Sequence, residues 1–273
     1  MHLASLHLYP VKSLRGLSPA SVEIDALGAV GDRRFMVVDA DGLFLTQRTL
    51  ARMAQIGTSF QSGHLVLTCE NLDPLRVPKA PDPEAPTKPV TVWKSEGLQA
   101  EDCGGEAAEW VSQALGTRCR LVRIGPAFHR PVTKAAARAG ELVSFADAAP
   151  LLLTTTASLD DLNARILETG AEPVPMNRFR PNLVVAGAAA FEEDRWQRLR
   201  IGTVVFRSLG PCARCVVTAT DQLTGERGIE PLAMLSTYRR DPKEPTHVNF
   251  GQNLVNETKA GVLRVGDPVE ILE

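Results

Sequence analysis

Phe35-Met36-Val37-Val38-Asp39-Ala40-Asp41-Gly42-Leu43-Phe44-Leu45 is the stretch that decides the fold. Four apolar residues, two of them β-branched, stop at Asp39-Ala40-Asp41-Gly42 and resume at 43–45. Each run is too short for a helix and is bounded by turn residues, so the stretch reads as two strands joined by a turn. The same unit recurs outward. Leu3, Leu6, Leu8 and Val11 open the chain as a strand, and short apolar runs follow at 22–24, 56–60, 65–68, 75–77 and 90–93, with separators such as Ser62-Gly63. Many short strands with turn signals between them predict a β-barrel or sandwich-like first half.

Six prolines mixed with charges between 73 and 90 predict an exposed loop. Ala107, Trp110, Val111, Ala114 and Leu115 share one helical face over 106–115, which Gly116 ends. In the second half 151–155 reads as a strand. Ser158 then reads as the cap of a helix carrying Leu159, Leu162, Ile166 and Leu167, with Asp160 and Asp161 in its first turn and Gly170 as its stop. Further strands are predicted at 182–186, 204–208, 216–220, 248–254, 261–265 and 269–272, and Pro231 suits the first turn of a helix over 232–238. The expected fold class is α+β, mostly β. The expected domains are a β-rich N-terminal domain over 1–122 and a β-barrel domain over 123–273, with a few peripheral helices.

Composition narrows the function. With 273 residues and 44% of them apolar, a core of ordinary size can be buried. A net charge of −2 argues against nucleic acid or an anionic membrane as the main partner. Of the 30 basic residues 23 are Arg, the side chain suited to planar, bidentate grip of phosphate or carboxylate. No apolar stretch approaches a membrane span, and the opening Met1-His2-Leu3-Ala4-Ser5 lacks a signal-like pattern, so a cytoplasmic location is expected. Five scattered cysteines, at 69, 103, 119, 212 and 215, are not a disulfide framework.

Two features carry chemistry. The first is Pro211-Cys212-Ala213-Arg214-Cys215, expected on a turn between two strands. A structural zinc site needs a second ligand pair at matching spacing, and none is present. A thioredoxin-like pair needs the motif to open a helix, whereas Val216, Val217 and Thr218 predict a strand. Two readings stay open: a pair of packed structural cysteines, or one thiolate offered to a soft metal or used as a nucleophile, with Arg214 lowering its pKa. The second feature is basic residues at strand edges: Lys12-Ser13 after Tyr9-Pro10-Val11, Arg33-Arg34 after Gly31-Asp32, and Arg178 and Arg180 around Phe179 ahead of Pro181-Asn182. Singly each is ordinary surface charge; together they suggest an anion clamp. Gly-x-Gly-x-x-Gly, P-loop, nucleophile-elbow and zincin motifs are all missing.

Taken in order, these motifs give the chain a family resemblance. Tyr9-Pro10-Val11-Lys12-Ser13, Gly31-Asp32-Arg33-Arg34-Phe35 and Leu45-Thr46-Gln47-Arg48 are followed by Phe179-Arg180-Pro181-Asn182, Asp194-Arg195-Trp196, Cys212-Ala213-Arg214-Cys215, Asn249-Phe250-Gly251-Gln252 and Val265-Gly266-Asp267-Pro268-Val269. The chain resembles the MOSC family over nearly its whole length, and most closely its amidoxime-reducing branch, bacterial members included. The resemblance implies Cys215 as protein ligand to molybdenum, and Lys12, Ser13 and Arg33 on the terminal phosphate of the pterin. Arg180, Asn182, Asp147 and Arg214 complete the cofactor-binding set it implies. Cys212 would be a neighbour rather than a ligand. Ala149 and Ala213 stand where relatives carry hydroxyls, so one cofactor hydrogen bond is expected to be lost or water-borne.

The resemblance implies a molybdenum-cofactor (molybdopterin) oxidoreductase that reduces N-hydroxylated compounds such as amidoximes, hydroxylamines and N-hydroxylated bases. Pyridoxal phosphate binding comes with the family as a secondary association. Electrons would come from a separate donor protein, a reductase or a ferredoxin-like or cytochrome b5-like carrier, because the chain reaches Glu273 without a cysteine-clustered domain. The rival reading is a protein that carries or sulfurates the cofactor without turning over a small substrate.

Overall fold

A computed structural model describes residues 1–273. Its largest sheet has seven strands in the order His2–Leu6, Leu183–Ala186, Leu151–Thr155, Asn249–Asn256, Val204–Ala213, Arg198–Ile201, Val269–Ile271. All pairs are antiparallel except Leu151–Thr155 with Leu183–Ala186, where the helix Thr156–Glu168 makes the crossover that parallel strands require. The two outer strands meet. Leu3 N donates to Asp267 O at 2.9 Å, Gly266 N to Leu3 O at 2.8 Å and Val269 N to Met1 O at 3.1 Å. The sheet is thereby nearly closed into a barrel, the arrangement that removes exposed edges. Its interior holds Leu3, Leu6, Leu153, Leu183, Val185, Leu199, Ile201, Phe206 and Leu254, each at most 2% exposed.

Phe35–Val38 is a strand of a second sheet, ordered Phe35–Val38, Arg120–Arg123, Ser95–Asp102, Thr87–Val92. All four of its residues are buried, because both faces of the sheet are covered. Phe35 and Val37 pack with the helix Gly105–Leu115 and the three-stranded sheet of Gly57–Gln61, His64–Cys69 and Leu72–Pro78. Met36 and Val38 face a different core with Val90, Val92, Phe128 and Phe145. The turn after Val38 is built as its residues predict. Asp39 Oδ1 accepts from Asp41 N and Leu43 N at 3.0 and 2.9 Å, and Gly42 takes a φ of +81°. A Cβ on Gly42 would lie 2.5 Å from Pro89 O, so the close approach also demands glycine.

Several expectations are corrected. Residues 43–45 form isolated bridges, Val38 to Phe44 and Leu43 to Thr91, rather than a strand. The proline-rich stretch is a loop only in its middle: Leu72–Pro78 and Thr87–Val92 are strands containing Pro74, Pro78 and Pro89. Both lie at sheet edges, where a missing N–H costs no ladder bond. The cap of the helix Thr156–Glu168 is Thr155, whose side chain accepts from Ser158 N at 3.2 Å. Ser158 and Asp160–161 are therefore further inside the helix than expected, and no acidic residue occupies its first turn. Pro231 is likewise the cap of the helix Leu232–Tyr238 rather than its first residue. Val216–Ala219 is a short 3-10 turn, not a strand. No helix of the chain is long and apolar enough to cross a membrane.

Candidate functional site

A cleft of about 640 Å³ opens between the four-stranded sheet and the barrel. All eight residues singled out from sequence line it: Lys12, Ser13, Arg33, Asp147, Arg180, Asn182, Arg214 and Cys215. The lining carries seven lysines and arginines (Lys12, Arg33, Arg48, Lys94, Lys134, Arg180, Arg214) and one carboxylate, Asp147. Such a wall favours a multiply charged anion.

The backbone is strained around this cleft. Seven non-glycine residues have positive φ, and Ser13, Arg33, Trp93 and Arg180 are four of them. All four line the cleft. A left-handed conformation costs a non-glycine residue of order 1–3 kcal/mol, and such strain gathers where a side chain must be aimed.

Arg33 is aimed by Asp32, Asn182 and the backbone of residue 180. Its Nη1 donates to Asp32 Oδ2 at 2.6 Å and to Asn182 Oδ1 at 3.1 Å, and its Nη2 to Arg180 O at 3.2 Å. Asn182 Oδ1 also accepts from Leu152 N, and its Nδ2 donates to His7 O. Its amide is committed to the protein, so it acts at the cleft by fixing Arg33. Arg180 is 8% exposed; Nη1 donates to Leu14 O at 2.8 Å and to Gln222 Oε1 at 3.2 Å. Both guanidinium groups lie against the Tyr9 ring, at 4.3 and 4.2 Å from its centre. Burial lowers the Arg180 pKa to about 10 and raises that of Tyr9 to about 12. Arg180 Nη2 is buried with no partner, a cost natural structures rarely leave uncompensated.

Lys12 donates to Phe145 O at 2.9 Å and pairs with Asp147. Burial pulls the Lys12 ammonium below its ordinary pKa, against the opposing pull of Asp147. Partial loss of solvent in the cleft opposes ionisation of Asp147, whose side chain stays 59% exposed, but Lys12 and the indole N–H of Trp93 outweigh it and hold the carboxyl below its ordinary range. Arg130, 4% exposed, supports this loop from behind through Ser144 O, Ala146 O and Asp147 O.

The strand Val204–Ala213 delivers the two cysteines. Its register with Asn249–Asn256 slips between Ser208 and Pro211 and again before Ala213. Gly210 sits at φ +95° there, and Asn253 Nδ2 holds Gly210 O and Pro211 O. This bulge re-aims the end of the strand into the cleft. Cys215 caps the 3-10 turn that follows. Arg214 reaches Cys212 rather than Cys215: Nη1 donates to Cys212 Sγ at 2.9 Å and Nη2 to Phe179 O at 2.6 Å. No three His, Cys, Asp or Glu side chains cluster, so a metal beside Cys215 has to bring ligands of its own.

Sequence reasoning missed Trp93, Arg48, Gln47 and Gln222. Gln47 and Gln222 exchange amide bonds at 3.0 Å in both directions, and Gln47 Nε2 also donates to Ser13 O at 2.7 Å. Leu45-Thr46-Gln47-Arg48 had stood out as a motif, but nothing in it announced these partners.

A nearly closed barrel set against a second β-rich unit, with the thiols of Cys212 and Cys215 and a cationic wall between them, fits a protein of the MOSC class. The chain belongs to the MOSC family: residues 1–118 match the MOSC N-terminal beta barrel domain and residues 141–270 the MOSC domain. It is 36% identical to mitochondrial amidoxime-reducing component 1 of Mus musculus, over 99% of this chain and 82% of that protein. It is 34% identical to the human mitochondrial amidoxime reducing component 2, over 98% of this chain and 82% of that protein. A molybdenum cofactor sulfurase of Oryza sativa is 31% identical over 88% of this chain and 31% of that protein.

Proposed function

We propose that the protein is a molybdenum-cofactor-dependent oxidoreductase that reduces N-hydroxylated compounds with electrons from a separate donor protein. The observation that carries this reading is the shared cleft: Cys215 lines the same cavity as Lys12, Arg33 and Arg180, although the chain separates them by up to 203 positions (215 − 12).

The residues fit a phosphate-bearing pterin. The partnerless Arg180 Nη2 offers a buried donor, the lining is cationic, and past the strand bulge Cys215 offers a soft sulfur, Cys212 beside it being engaged by Arg214. Lys12, Ser13, Arg33 and Arg180 would hold the phosphate by charge-assisted hydrogen bonds, each worth about 1.5–3 kcal/mol. Asp147 and Arg214 would flank the pterin, with Asn182 holding Arg33 in place and Cys215 the protein ligand to the metal. When bound, the cofactor supplies the two-electron chemistry.

The overall conversion takes R–NH–OH, two electrons and two protons to R–NH2 and water. The chain's part is orientation and electrostatics. Its cationic wall stabilises the anionic cofactor, and the Arg214 contact keeps Cys212 engaged beside Cys215. The donor is proposed to be a reductase or a ferredoxin-like or cytochrome b5-like carrier.

Reduction of benzamidoxime by protein from a cofactor-competent host, with an artificial electron donor, tests the reading. Product formation abolished in Cys215→Ser is the expected result. The similarity to the rice sulfurase favours one rival, a cofactor carrier or sulfurating protein. Full cofactor loading with no turnover under any donor would establish that rival instead.

A further inference from the structure

Trp93 sits at a place where tryptophan is costly. It begins the two-residue tip, Trp93-Lys94, between the strands Thr87–Val92 and Ser95–Asp102, and its φ is +55°. Tips of this kind favour Gly, Asn or Asp, because a Cβ is strained at positive φ. The residue is 38% exposed, and its side chain is one of few large apolar ones left in solvent. Neither backbone preference nor core packing accounts for it.

Its surroundings do. The indole N–H donates to Asp147 Oδ1 at 3.1 Å. Phe44 meets the ring edge-on, 4.7 Å between centres at 64°. Lys12 Nζ lies 5.8 Å from the ring centre, and the flat guanidinium of Arg48 lies over it at 4.5 Å. Trp93 is thus fixed in orientation at one edge while a face takes a planar group beside the lysine of the anion clamp. An anchored aromatic next to a phosphate-binding lysine is how proteins hold flat heterocycles that carry a phosphate.

We propose that Trp93 is a ligand-contacting residue, an aromatic platform on which the planar heterocycle of the bound phosphate ester stacks, taking the place of the Arg48 guanidinium. This rests on the reading that Lys12 binds the phosphate of a pterin, and it adds a residue to which the family motifs assign no role. The Arg48 cation, freed from the ring, then adds to the charge facing the phosphate.

Two variants separate contact from architecture. Trp93→Gly removes the ring and its contacts but relieves the positive φ at an exposed tip, so it is expected to fold. Trp93→Phe keeps a smaller platform. The probes are neopterin monophosphate and inorganic phosphate, titrated calorimetrically into cofactor-free protein. Trp93→Gly is expected to weaken the pterin ester about tenfold, with Trp93→Phe in between and inorganic phosphate unchanged in all three. Equal weakening of both probes would overturn the proposal, since Trp93 would then act only by positioning Lys12 and Asp147. Unchanged affinity for the ester would overturn it too. A parent that binds inorganic phosphate but not the ester would remove the pterin reading and the platform together. Loss of reductase activity alone bears on neither arm, because both measure binding.

Discussion

Arg33 donates from Nη2 to the backbone carbonyl of Arg180 across 3.2 Å, a bond joining residues 147 positions apart. Both residues are at positive φ, and both guanidinium groups press on Tyr9. Strain at one helps fix the other. The anion clamp is therefore preorganised, which lowers the conformational cost of binding.

Arg180 gives the first prediction. The parent is expected to be stabilised by a phosphate ester, by about 2.7 kcal/mol at a hundredfold excess over Kd. Arg180→Lys cannot reproduce the planar fork that meets Leu14 O and Gln222 Oε1 while leaving Nη2 free. Its affinity for the ester is expected to fall about tenfold or more, read as a lost shift in Tm. An undiminished shift would show that Arg180 faces no ligand.

A second prediction concerns acid. Asp147 has a folded-state pKa below the ordinary 3.8, so the unfolded chain takes up its proton first as pH falls. The stability it contributes is present above about pH 4 and is lost below it, as pH falls through the folded value. Asp147→Asn is expected to flatten the acid limb of stability against pH while leaving the slope near neutrality unchanged. Urea unfolding midpoints over an acid pH series measure this; superimposable limbs would contradict the Lys12 pairing.

The Gln47–Gln222 exchange gives a third. It ties Ser13 O and Arg180 Nη1 into one network spanning both sides of the cleft. Each single Ala substitution strands a buried partner, at about 1–3 kcal/mol. Once one glutamine is gone, losing the other should cost less. A double-mutant cycle is expected to return a coupling of about 1 kcal/mol, and an additive result would show the amide pair to be incidental.

How far the sequence could be read follows from range. The strands were legible because alternation, β-branching and turn residues are local, and Phe35–Val38 with its Asp-Gly turn formed largely as its residues require. Cys215, Lys12, Arg33 and Arg180 stand out in the sequence because they lie in compact motifs, and all four line the cleft. Edge position was not legible, so Pro74 and Pro89 read as loop although an edge tolerates them. The Val216-Val217-Thr218 run favours a strand locally, yet the bulge at Gly210 turns the chain and Thr218 Oγ1 back-bonds to Cys215 O, closing a 3-10 turn. Thr155 rather than Ser158 caps its helix because Thr155 is the last extended residue before the helical turn, at φ −117° and ψ 153°, and its Oγ1 accepts from Ser158 N. Trp93 stayed hidden because its role depends on Asp147, Phe44 and Arg48, which lie 54, 49 and 45 positions away (147 − 93, 93 − 44, 93 − 48).

The most direct measurement is molybdenum and pterin content, side by side, in the parent and in Cys215→Ser, both purified from a cofactor-competent host. The account predicts near-stoichiometric metal and pterin in the parent. In the variant it predicts an intact fold, pterin retained in part through the Lys12, Arg33 and Arg180 clamp, and reductase activity gone. A parent that stays free of both metal and pterin in that host, or a variant as active as the parent, would contradict it.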